Sequence, residues 1–257
     1  MRAQTVQTWI ARHIAVRRRL EHICMSYLLF VMVVTTKHSL EEAARFSGLH
    51  KSQFSKLLKA HSPVAVATLE RLSKKQAKQV AHAQQKLREL PWKRAIIVDS
   101  TLQHRASLHP ENAKTFNHGQ GFVVGHQWTN IVLLLNDMLI PLRPIPFYSQ
   151  RYCRDRKLVY RTEHDRVVEY IQQLQLEEYI GSYDPREVVV LMDSGYDNKK
   201  IQNAIATKQW HFLVALGKTR SVQSAMRSCT TPKSKQWAHI ATFFRNHRWL
   251  KWQTIRI

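Results

Sequence analysis

The chain has 257 residues, 44% of them hydrophobic, and carries 40 Lys and Arg against 18 Asp and Glu, a formal net charge of +22 with a pI near 10.3. That apolar content supports a buried core, which excludes a disordered chain, and the length suits one large domain or two smaller ones. The charge calls for a polyanion, and the longest apolar run, residues 23–34, is too short for a bilayer span of about twenty residues, so a membrane is excluded as partner.

Cys24, Cys153 and Cys229 are scattered and form no Cys-x-x-Cys pair. This usage suits a reducing compartment, and the expected location is the cytoplasm, in association with the nucleoid. The histidines lack ligand spacing and read as surface or phosphate-facing groups.

In chain order, residues 1–61 read as a small helical domain. Ser39 with Glu42 fits a capping box. Ala44 permits close helix packing, Gly48 permits a left-handed turn, and Leu49, Phe54 and Leu57 fill the interior. That spacing predicts a helix-turn-helix. Its second helix would turn Lys51, Ser52, Gln53 and Lys56 outward toward phosphates and base edges. Residues 62–91 read as a helical connector, with Leu69 and Leu72 on an apolar edge and Lys74, Lys75 and Lys78 in solvent or on phosphates. Pro91 closes it.

From residue 92 the pattern changes to strands and helices. A first strand runs to Asp99, an apolar stretch spans residues 121–135, and a return strand covers 139–145, an antiparallel meander. Val167, Val168, Ile171 and Leu174 recur at helical spacing within 161–179. A second apolar strand ends at Asp193, a helix covers 197–207 and a last strand 210–216. This order of elements predicts an α/β fold, an RNase H-like domain over residues 92–235 in which the first and fourth strands are neighbours. The tail has no acidic residue. Its Trp237, Trp249 and Trp252 alternate with Arg248 and Lys251, a pattern suited to stacking on bases between cations.

Asp99 follows Ala95-Ile96-Ile97-Val98, and Asp193 follows Val188-Val189-Val190-Leu191-Met192. Two carboxylates from neighbouring strands would repel by about 4 kcal/mol at about 4 Å in a partly shielded site. A divalent cation removes the conflict and makes a phosphoryl-transfer site, Mg²⁺ or Mn²⁺ being the expected ion. In a basic chain the substrate would be a nucleic acid. As helix caps after strands the same residues would be purely structural.

Three segments resemble a DDE transposase of the IS4-like group of bacterial insertion sequences. Ala95 to Thr101 is similar to the first-aspartate strand. Gly125-His126-Gln127-Trp128 with the Pro-rich 141–146 segment is similar to the second and third strands, and Leu191 to Asp197 to the second-aspartate motif. The resemblance implies a DNA-binding region ahead of an RNase H-like domain, with Asp99 and Asp193 holding two Mg²⁺ ions for strand cleavage and strand transfer. It also implies a β-rich insertion, of which residues 236–257 would be the start, followed by a third acid, a Glu in a Tyr-Arg-Glu-Lys signature. No Asp or Glu follows Asp197. The sequence therefore reads as truncated before that third acid, with impaired activity. The implied partners are double-stranded DNA (terminal inverted repeats and target DNA) and a second copy in a homodimer. The competing reading is a non-catalytic DNA-binding regulator or transposition inhibitor, for which both aspartates would be dispensable.

Overall fold

The computed structural model describes residues 14, 16–34, 39–83, 94–105, 111–117, 121–135 and 137–215, the paired segments 221–223 and 237–239, and isolated positions 8, 12 and 108. The helices are α1 (Glu21–Val33), α2 (Leu40–Ser47), α3 (Lys51–Ala83), α4 (Gln150–Asp155), α5 (Glu163–Gln173), α6 (Glu177–Ile180) and α7 (Lys199–Thr207). The strands are β1 (Arg94–His104), β2 (Lys114–Asn117), β3 (Phe122–Leu135), β4 (Met138–Pro141), β5 (Ile145–Pro146), β6 (Val188–Met192), β7 (His211–Val214), β8 (Ser221–Gln223) and β9 (Trp237–His239).

Two compact units result. The first comprises residues 1–87 with 138–143 and 175–182. Ser39 caps α2, its Oγ accepting from the Glu42 N–H at 3.1 Å, which satisfies one of the unpaired donors of the first turn. Gly48 ends the helix in the left-handed region at φ 72°, where a Cβ is disfavoured. Phe30, Ala43 and Phe54 are fully buried and pack with Ile23, Cys24 and Leu57. Ala43 is fully buried, and the expected Ala44 packs partly buried against the same core.

Helix α3 runs unbroken for 33 residues, past the position where the sequence pattern places a change from recognition helix to connector. It continues through Pro63, which has no N–H to donate, and Ala, Leu, Lys, Gln and Glu keep the helical propensity high on either side. In its second half Ser73 bonds the Pro141 carbonyl. Lys74 meets Glu70 at 3.2 Å and Glu178 at 2.5 Å, so its charge is committed within the unit, whereas Lys75 and Lys78 are exposed.

The second unit comprises residues 88–137, 144–174 and 183–257. Its sheet runs β2-β3-β1-β6-β7, with β5 also on β3. β1 is antiparallel to β3 and parallel to β6, and β6 is parallel to β7. Val188, Val189 and Val190 are all buried, as befits a parallel strand covered on both faces. Helices α5 and α7 pack together through stripes that bury Val167 and Ile171 on one and Ile201 and Ile205 on the other. β8 and β9 form a separate antiparallel pair.

The chain departs from the sequence pattern in three places. β1 continues past Asp99 to His104, because β3 stays paired with it over that whole length. The expected return strand is reduced to two short pieces, β4 and β5, since the prolines at 141, 144 and 146 have no N–H for a ladder. The expected helix over 161–179 stops at Leu174, whose backbone is extended, and resumes as α6. Among the described residues no helix is long and apolar enough to cross a membrane.

Candidate active site

The site begins with register. β1 and β6 pair from Arg94↔Val188 to Val98↔Met192. At the start of that ladder Arg94 donates to Glu187 across the strands at 2.7 Å, which pins the register from which both aspartates follow. The next residue on each strand is Asp99 and Asp193. Adjacent strands are about 4.8 Å apart, so the two carboxylates leave neighbouring backbones at one level. Pleat alternation puts them on the face of Ile97 and Leu191, opposite the buried Val98 and Met192. Both aspartates are exposed.

Their immediate surroundings differ. Asp193 caps the turn Ser194–Tyr196, with Oδ1 accepting from the Gly195 N–H at 2.9 Å. This bond fixes the side-chain rotamer and leaves Oδ2 directed elsewhere. Gly195 keeps that turn close: a Cβ there would lie 3.1 Å from Asp193 Oδ1. Asp99 sits opposite Asn130 on β3, whose side-chain amide donates to Thr101 at 2.6 Å. The structural reading of Asp193 as a turn cap is therefore real, and a cap using one oxygen is compatible with a second role for the other.

The first turn of α5 grips the Asp193 loop residue by residue. Glu163 Oε1 accepts from the Tyr196 hydroxyl at 2.7 Å and from Thr129 at 2.9 Å, and its Oε2 accepts from Gln127 at 2.9 Å. Asn198 Oδ1 caps α7 through the Lys200 N–H, so its Nδ2 faces His164 Nδ1 at 3.2 Å. His164 Nδ1 must then be the acceptor, and Nε2–H donates to the Gly195 carbonyl at 2.8 Å. The bonding network thereby assigns a neutral tautomer. Asp165 accepts from Thr162 at 2.7 Å and from Lys200 at 3.0 Å.

Burial raises the Tyr196 hydroxyl far above an ordinary phenol, and the Glu163 carboxylate beside it adds to the effect. The phenol therefore stays a donor throughout the working range. The Thr162 and Lys200 bonds hold the Asp165 carboxyl down at about 2. Because the folded carboxyl is the stronger acid, its stabilising contribution is complete above the unfolded value near 3.9. It is lost as pH falls through about 2. Asp165→Asn should consequently lower the urea midpoint at pH 5 and converge with the parent chain near pH 2. An equal gap at both values would contradict the assignment.

Sequence reasoning selected Asp99 and Asp193 and passed over Glu163, His164, Thr129 and Tyr196. The available signal was Thr162-x-x-Asp165, a capping pattern that puts Glu163 at the first helical position. Glu163 spends its two oxygens on three neutral donors, so it braces the loop and is not a third metal ligand. Among the described residues no group of three His, Cys, Asp or Glu could hold a metal ion. Two exposed carboxylates still suit Mg²⁺, which keeps most of its water and is commonly held by one or two carboxylates together with substrate phosphate.

In the first unit, Lys51, Gln53 and Lys56 are exposed on α3 while Phe54 and Leu57 point inward. Lys51 forms a surface pair with Glu41 at 3.2 Å. Ser52 is half-buried and bonds His50 at 2.8 Å. Arg248 and Lys251, with the 240–257 part of the expected insertion, lie outside the described residues; of Trp237 only the backbone, in β9, is described.

An α/β unit with carboxylates at the ends of two adjacent strands is compatible with a divalent-metal site. The family model for the transposase DDE domain matches residues 90–254, which is more than half of the chain and contains both aspartates, and the chain belongs to that family. Members of the family are DNA phosphoryl-transfer enzymes that generally use divalent metal ions. No curated protein and no solved structure matches the chain.

Proposed function

We propose that this chain is a DNA transposase of the IS4-like type that binds the ends of an insertion sequence and acts on their phosphodiester bonds. The observation that carries this reading is the placement of Asp99 and Asp193 one step beyond Val98↔Met192 on parallel strands, inside the matched region. Their oxygens would hold Mg²⁺ or Mn²⁺ in an RNase H-like domain. The ions, when bound, supply an activated attacking oxygen and charge neutralisation at the leaving oxygen. Asp99 faces the reacting phosphate from the sheet's central strand, and Asp193 faces it from a loop held by α5.

Helices α2 and α3 act as a helix-turn-helix on duplex DNA. Lys51 and Lys56 face phosphates, Gln53 faces base edges, and Ser52 supports the turn through His50. Arg248 and Lys251 add phosphate contacts, and two copies bring two DNA ends together. The IS4-like resemblance calls for a third carboxylate, and the 257 residues contain no Asp or Glu after Asp197. A polypeptide of these residues alone is thus short of one charged metal ligand.

The test is binding and nicking of the element's own end DNA with Mg²⁺ or Mn²⁺, comparing the chain with Asp99→Ala and Asp193→Ala. All three should bind the duplex equally. Nicking should be weak in the chain and absent from both variants. Nicking that persists in the variants would overturn the assignment of the two aspartates, and efficient nicking by the parent chain would overturn the need for a third acid.

A further inference from the structure

The two aspartates stand on one face of the sheet, but the loop carrying Asp193 is anchored from the other. Tyr196 is 2% exposed, and its hydroxyl reaches Glu163 at 2.7 Å, with Thr129 Oγ1 at 3.2 Å. Thr129 is the register partner of Ser100 on β1. Alternation along β1 puts Ser100 on the face opposite Asp99. The Tyr196 hydroxyl thus lies in a node that joins α5 through Glu163 and β3 through Thr129, the register partner of the residue that follows Asp99. Three residues before it in the chain stands Asp193. The node ties together, from beneath, the two backbone segments whose upper faces carry the carboxylates.

The chemistry of the node suits this task. Thr129 and Tyr196 each have one hydroxyl proton, and both are used on Glu163 Oε1 (2.9 and 2.7 Å). A carboxylate acceptor makes these bonds stronger and shorter than bonds between neutral groups. Gln127 occupies the other oxygen at 2.9 Å, so the Glu163 carboxylate cannot rotate without breaking a bond. The three donors are neutral groups, two of them fixed on β3 and one in the Asp193 turn.

We propose that Glu163 and Tyr196 are positioning residues that set the spacing of the Asp99 and Asp193 carboxylates for a divalent cation. This rests on the reading of Asp99 and Asp193 as the metal-holding pair. Groups behind metal ligands of this kind commonly change metal affinity by about 10–100-fold when removed. Tyr196→Phe deletes the node and keeps the buried ring. Glu163→Gln keeps the shape, removes the charge and turns one oxygen into a donor that faces the Gln127 amide.

The experiment is Mn²⁺ binding to the full chain, followed by the loss of the free-ion electron paramagnetic resonance signal, with thermal unfolding measured on the same samples. Tyr196→Phe and Glu163→Gln should each weaken Mn²⁺ binding by about tenfold or more. The double variant should be little weaker than either single one, because both act through one bond. Gln127→Ala removes the half-buried donor on Glu163 Oε2 and should weaken binding several-fold. It carries the comparison if the buried substitutions unfold the chain. Affinities within about twofold of the parent in folded variants would overturn the proposal, since a merely structural brace would move the melting temperature alone. Asp193→Asn and Asp99→Asn separate the two levels. If neither changes Mn²⁺ binding, or if the parent chain binds none, the metal-pair reading fails and takes this inference with it. If both abolish binding while the Tyr196 and Glu163 variants do not change it, only the positioning role fails.

Discussion

Raising the salt from about 50 to about 200 mM should weaken binding of this chain to duplex DNA by about 10³–10⁵-fold, if about six to ten phosphates are neutralised. The physical basis is counterion release, whose contribution scales with the number of phosphate contacts and not with the DNA sequence. A net charge of +22 provides ample cations, and Arg45, Lys51, Lys56 and Lys59 are exposed around the α2–α3 turn. Single substitutions divide this total. Lys56→Ala should reduce affinity for all sequences alike and lower the salt slope by about one. Gln53→Ala should leave the slope unchanged and relax discrimination at one base pair, at a cost of about 1–3 kcal/mol. Filter-binding or anisotropy titrations at four salt concentrations measure both. A flat salt response would remove the basic-surface argument altogether, and a Gln53 variant with parent specificity would remove this residue from base contact.

The second large effect is on stability. Phe54→Ala should destabilise the first unit by about 3–5 kcal/mol, the cost of emptying a fully buried phenyl site. Phe54 has no exposed surface and lies among Ile23, Cys24, Phe30, Ala43 and Leu57, with the Tyr27 ring 5.9 Å away. Collapse around the gap is restricted because the neighbouring side chains come from both α1 and α2. A typical domain is stable by about 5–15 kcal/mol in all, so the loss would bring this small helical unit close to its unfolding midpoint. Denaturant titration followed by helical circular dichroism should show an early transition in the variant. Duplex binding should fall with it, since Lys51, Gln53 and Lys56 are carried by the same helix. A shift below about 1 kcal/mol would mean that the α1–α2–α3 core does not hold Phe54 as described.

These expectations draw on different parts of the chain, and they were not equally legible in its sequence. The α/β class follows from strands that read as continuous apolar runs and from helices with spaced apolar positions, as in Val188–Leu191 and Val167–Ile171. The Ser39 cap and the Gly48 turn were also readable, because their bonds span only three or four residues. Helix ends were less so. α3 passes through an expected boundary even though Pro63 falls within it.

What the sequence alone determined is therefore the charge, the class of fold and the two carboxylates at the ends of buried runs, each a property of composition or of a short window. Tertiary structure decided that β1 continues past Asp99, that Asp99 and Asp193 each follow directly on the last β1–β6 pair, Val98 and Met192, and that Glu163 reaches across to Tyr196. The reason is distance along the chain. Tyr196 meets partners 33 and 67 positions away, and Arg94 on β1 meets Glu187, just before β6, 93 positions away. Such pairings depend on which strands become neighbours when the core is buried, and no periodicity within one segment records that choice.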